Sequence, residues 1–88
     1  MSTNIGEILI QRGEKYGDFI NHAIITQKLK AVMSSQVGWD NLDVDMKESL
    51  EMIAHKIGRI LNGDPNYDDS WVDIAGYATL VANRLQGK

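Results

Sequence analysis

The stretch LEMIAHKIGRIL, residues 50–61, constrains the fold more than any other part of the chain. Leu50, Ile53, Ala54, Ile57, Ile60 and Leu61 recur at three- and four-residue steps. That spacing lays one apolar stripe along an α-helix, which turns by about 100° per residue. Glu48, Glu51, His55, Arg59 and Asn62 fall on the opposite side, with Lys56 at its edge. No segment alternates apolar and polar residues for long enough to make a strand, and Pro65 is the single proline. The expected class is all-α.

Four helical segments are predicted. The first is short, Ile5 to Arg12, with Ser2 or Thr3 as its cap. Gly13 and Gly17 bracket a break at RGEKYGD, and Asp18 caps a second helix from Phe19 to Met33. Apolar residues cover more than half the circumference of that helix, which predicts burial on more than one side. SSQVGWDNLD reads as a loop, after which Asp43 or Asp45 caps the third helix. That helix stops at Asn62-Gly63, a sequence suited to a left-handed C-terminal turn. GDPNYDD is a polar turn, and Asp68 or Asp69 caps the last helix, Ser70 to Leu85. Trp71, Ile74, Ala75, Ala78, Val81, Ala82 and Leu85 form its main apolar stripe. The third and fourth helices should pair as an antiparallel hairpin against the second.

With 88 residues the chain makes one domain, residues 1–88, too small to bury a large share of its surface. It has no cysteine, so neither disulfides nor thiolate metal sites can add stability. Self-association is the remaining common remedy, and a bundle of three main helices plus the short N-terminal one, completed as a homo-oligomer (dimer or tetramer), is expected. The formal charge of −3 argues against a nucleic-acid or anionic-membrane surface. No segment is long and apolar enough to span a bilayer, and the first residues lack the pattern of an export signal. A cytoplasmic location is the expectation.

Two acidic features could carry chemistry. Glu48 and Glu51 lie three apart on the polar side of the third helix. On the fourth, Asp73 shares a side with Gly76, Tyr77, Leu80, Asn83 and Arg84, an awkward face to show to water. Gly76 costs about 1 kcal/mol of helix stability against alanine, and could admit a neighbouring helix or a ligand. The plainer readings are a solvated helix face for the glutamates and a dimer contact with an incidental carboxylate for Asp73. Carboxylates on facing helices are a recurrent way to hold a metal in a bundle. Mg²⁺ favours such hard oxygen ligands together with substrate phosphates.

These motifs resemble those of the all-α nucleotide pyrophosphohydrolases, the MazG-like and dimeric dUTPase group, which pair an ExxE helix with a later ExxD helix. Glu48-Ser-Leu-Glu51 matches the first motif and Asp73 the last acid of the second. Ser70 stands where the first acid of the second motif is expected, and Asp69 is one residue away. The run LEMIAHKIGRILNGDPNYDDSWVDIAGYATLVANRL, with the preceding EKYGDFINHA, is similar to short phage-encoded MazG-like proteins.

The resemblance implies a Mg²⁺-dependent nucleoside triphosphate pyrophosphohydrolase acting on an NTP or dNTP, with Mn²⁺ as a substitute metal. Glu48, Glu51 and Asp73 would be catalytic and hold the metal, with Asp69 as a fourth ligand. Lys56, Arg59 and Lys28 would meet phosphates, and Tyr77 would stack on a base; each cation is equally readable as a solvated charge. Trp71 reads as core, His22 as a packing histidine and His55 as a hydrogen-bond partner of Glu51. A nucleotide-binding or sequestering phage protein without catalysis, and a structural helical interaction protein, are the alternatives.

Overall fold

In the computed structural model, which describes residues 4–88, α1 (Ile5–Tyr16), α2 (Phe19–Ser34), α3 (Val44–Asn62) and α4 (Asp68–Leu85) follow in order, with a 3₁₀ turn at Val37–Asn41 between α2 and α3. There is no strand among the described residues, so the class is all-α. Ser2 and Thr3, the expected caps of α1, lie outside the described residues. Asn4 caps that helix instead, its side chain accepting from the amide of Glu7 at 3.2 Å. The helix then continues through Gly13, which a helix interior tolerates at modest cost. It ends only at Gly17, whose φ of 78° is open to glycine. Asp18 caps α2 as expected, accepting from the amide of Ile20.

α3 is the spine. Its start meets the end of α4, where Arg84 reaches Asp43 and Asp45. Further along, Ser49 donates to the carbonyl of Tyr77 at 2.9 Å, and Lys56 meets Asp73 at 2.7 Å. This ladder makes α3 and α4 the antiparallel hairpin expected from their sequence. On its other side α3 packs antiparallel to α2. The Nε2 of His22 donates to the carbonyl of His55 at 2.9 Å, which fixes the ring proton on Nε2, since a carbonyl only accepts. Gly58 lets the helices close up here. A Cβ at that position would stand 2.5 Å from the Thr26 methyl and 2.8 Å from the His22 ring. His22 is buried, as its reading as a packing histidine requires.

Several local expectations are corrected. Gly63 ends α3 with φ −132°, not left-handed; glycine is needed because the backbone of Lys15 and Tyr16 lies against it. Asp43 occupies the cap position of α3 without bonding its amides, its carboxylate being engaged by Arg84. Asp68 and Asp69 fall inside the first turn of α4, where negative charge suits the helix dipole, and not at its cap.

The largest correction concerns what is buried. Ala54, 2 % exposed, is the one buried apolar residue among those described, whereas His22, Thr26, Ser49, Lys56 and Ser70 are all buried. Leu50 and Leu61 of the expected α3 stripe, and Trp71 and Leu85 of the α4 stripe, are exposed. Trp71 is 54 % exposed and spends its indole N–H on the carbonyl of Pro65 at 2.9 Å. The reason is geometric. α2 and α4 pack on opposite sides of α3 more than on each other, so the helices form an open layer and not a closed bundle. Contacts therefore fall along the flanks of α3, which carry small and polar side chains, while Leu50 and Leu61 of its apolar stripe face outward and Ile53, Ile57 and Ile60 are half-buried.

Candidate functional site

The two sides of α3 hold different chemistry. Towards α4, the Lys56 ammonium sits against the Asp73 carboxylate, the lysine side chain almost enclosed and the aspartate about a third exposed. Ser49 anchors the same flank to α4. Beyond Asp73 a shallow hollow of about 370 Å³ is lined by Val72, Asp73, Gly76, Tyr77 and Leu80. Gly76 has open space where a Cβ would stand, so none of the described residues uses the close approach it allows.

Away from α4 lies a deeper cleft of about 550 Å³, walled by Leu9, Arg12 and Tyr16 of α1, Phe19 and His22 of α2, and His55 and Arg59 of α3. The Gly17 turn is what assembles it, because it places Tyr16 and Phe19 on consecutive helices around one space. The linker is pinned from below. The Asn62 amide donates to the carbonyls of Tyr16 at 3.0 Å and Asp18 at 2.7 Å, and the amide of Asp64 donates to the carbonyl of Lys15 at 2.8 Å. The Arg59 guanidinium lies 4.0 Å from the centre of the Tyr16 ring, a stacking contact that leaves its N–H groups free to donate. On the far side of Tyr16, Tyr67 packs at 6.1 Å with Lys15 over its ring. A second hollow of about 470 Å³ there shares Arg12, Tyr16 and Arg59 with the cleft. Among the described residues neither arginine is paired with a carboxylate.

His55 packs edge-on against His22, ring centres 4.5 Å apart, and forms no hydrogen bond with Glu51. Its expected partner is thus replaced by a ring contact with α2. Burial, then the charges of His22, Arg59, Lys56 and Lys30, pull its pKa down to about 4. It is an uncharged, polarisable wall of the cleft at neutral pH. Asp69 is exposed and acts on Tyr67, whose hydroxyl pKa it raises.

The sequence-predicted site residues are therefore divided. Arg59 lines the cleft, and Glu51 and Glu48 continue its stripe about two and three turns back along α3. Asp73 and Tyr77 belong to the other flank with Lys56; Glu51 points about 140° around α3 from Lys56. Lys28 is exposed on α2. Ser70 is buried, so an acid in its place would need a buried partner. Among the described residues no three acidic or histidine side chains gather as metal ligands. Asp73 has the Lys56 ammonium beside it, 2.7 Å away. Arg12, Tyr16 and Phe19 were missed by sequence reasoning; the signal was the four-residue step from Arg12 to Tyr16 just before the glycine turn.

A small open layer of helices with a cationic, aromatic cleft is what the geometry defines. Residues 3–85 match the model of a family described as Domain of unknown function (DUF6378), and the chain belongs to that family. No curated protein and no solved structure matches it. No helix among the described residues is long and apolar enough to cross a membrane.

Proposed function

We propose that this protein binds a nucleoside triphosphate or deoxynucleoside triphosphate in the cleft between α1, α2 and α3. The observation that carries this reading is the pair of arginines, Arg12 and Arg59, without carboxylate partners in a cleft that also presents Tyr16, Phe19 and His55. Unpaired guanidinium groups suit phosphate oxygens, and flat aromatic walls suit a base. A volume of about 550 Å³ is in the range of small-ligand sites. The ligand class agrees with the resemblance to the MazG-like group.

Hydrolysis of the ligand with Mg²⁺ or Mn²⁺, as in a pyrophosphohydrolase, is the second reading. It is favoured by the resemblance and by Glu48 and Glu51 lying on the stripe that leads to Arg59. It requires a further acid, either Asp73 released from Lys56 or one from another subunit.

A thermal-shift panel of NTPs and dNTPs, with and without Mg²⁺, tests both. Binding raises the melting temperature, since a ligand held only by the native state stabilises it. Arg59→Ala should remove the shift, and Lys28→Ala should not. Release of pyrophosphate only with the metal would establish the second reading. Failure of every nucleotide to shift the wild type would overturn the first.

A further inference from the structure

The face of the α3–α4 hairpin turned away from Lys56 and Asp73 carries Leu50, Ile57 and Leu61 from α3 and Trp71, Ala78 and Leu85 from α4. Lys56 and Asp73 meet on one edge of this antiparallel pair. Turning about 100–160° in the same sense around each helix from that contact reaches both sets. They therefore share one surface, and all but the half-buried Ile57 are exposed. No Asp, Glu, Lys or Arg stands among the six.

The dimensions of the chain say how much is missing. A folded monomer of 9.8 kDa exposes about 5,200 Å² by the usual scaling of surface with mass. This chain exposes 6307 Å². The excess, about 1,100 Å², is somewhat more than the roughly 800 Å² each partner gives to a standard interface. The radius of gyration is 15.1 Å, where a compact chain of this length has about 12 Å. A chain in which Ala54 is the one buried apolar residue among those described leaves this apolar face without cover, and a second copy of the same surface covers it without any other partner.

We propose that two copies of this chain dock through this α3–α4 face as a two-fold dimer. A two-fold contact is self-complementary, so one apolar patch suffices. Leu61 lies about 200° around α3 from Arg59, so the interface leaves the Arg12–Arg59 cleft open. The inference stands independently of what that cleft binds.

Light scattering on the eluted full chain at high micromolar concentration should give twice 9.8 kDa. Leu61→Glu and Leu50→Glu should halve that mass, while Ile24→Glu, on the outer side of α2, should leave it unchanged. Circular dichroism identifies any variant that has merely unfolded. Against that outcome a second measurement decides: the chain has no cysteine, so Ala75→Cys, Ala78→Cys and Ala82→Cys each carry one thiol. At least one should form a disulfide-linked pair under mild oxidation, and Gln27→Cys on α2 should not. A monomeric wild type, a mass lost in Ile24→Glu but kept by the leucine variants, or crosslinking confined to Gln27→Cys would overturn the proposal.

Discussion

At the scale of single residues, the Lys56–Asp73 pair has the most to tell. The Lys56 ammonium is nearly enclosed, and the Asp73 carboxylate 2.7 Å away is its only ion-pair partner among the described residues. Taking away one member of an enclosed pair leaves an uncompensated charge, which costs more than the pair itself contributes. Asp73 keeps some contact with water, which reduces the penalty. Asp73→Asn should therefore destabilise the protein by about 1–3 kcal/mol in urea unfolding. A carboxylate strained for metal binding predicts the reverse, a gain in stability on its removal. His55 gives a second residue-scale expectation. Its pKa falls from 6.5 to about 4 in the folded chain, chiefly through burial and then through His22 and the neighbouring cations. Between those pH values the unfolded state binds more protons than the native state, so stability rises with pH across that window. The stabilising contribution is complete above about 6.5 and is lost as pH falls towards about 4. The melting temperature of the wild type should drop on acidification through this range more steeply than that of His55→Gln, and NMR titration of the ring should show the low midpoint directly.

At the scale of elements, α1 is the least secured helix. It has no buried residue, and its end is tied to the α3–α4 turn through the Asn62 amide and the Asp64 N–H. Asn62→Ala removes two side-chain hydrogen bonds to carbonyls of the α1–α2 linker and should cost about 1–3 kcal/mol. Hydrogen exchange should show the loss first in α1, with the α3–α4 hairpin still protected. Helix existence was legible in the sequence because period and punctuation agree. Asp18, the Gly17 break, the antiparallel hairpin and the end of α3 at Asn62 all follow from local chemistry. Helix orientation was not legible. The wheel identifies an apolar stripe on α3 but not whether a neighbour in the same chain covers it, and here Ser49, Ala54, Lys56 and Gly58 are the residues buried. The same limit hid half the candidate site. Arg59 was readable from its stripe, whereas Arg12, Tyr16 and Phe19 become partners of Arg59 only once α1 and α2 are placed around the Gly17 turn. Glu48, Glu51 and Asp73 form one set only through the resemblance, and spacing carries no information about which flank of α3 the fourth helix takes.

At the scale of the whole molecule, the cleft and the weakly held helix are one feature. Arg12 belongs to α1 and Arg59 to the α3 spine, and both line the same cleft. A polyphosphate contacting both guanidinium groups would connect the loosest element to the firmest one. Part of its binding free energy would then go into ordering α1, so affinity should depend on how far α1 is ordered beforehand. This gives a pair of expected outcomes for a nucleotide that raises the melting temperature. Hydrogen exchange in α1 should slow on binding, while exchange in the α3–α4 hairpin changes little. Asn62→Ala, which lies outside the cleft lining but frees the carbonyls of Tyr16 and Asp18 in its wall, should weaken binding by loosening α1, and Arg12→Ala should weaken it while leaving the exchange of the free protein unaltered. Protection appearing in α4 beside Asp73 and Tyr77 instead would move the ligand to the other flank of α3, where the Lys56–Asp73 pair would then have to open to receive it.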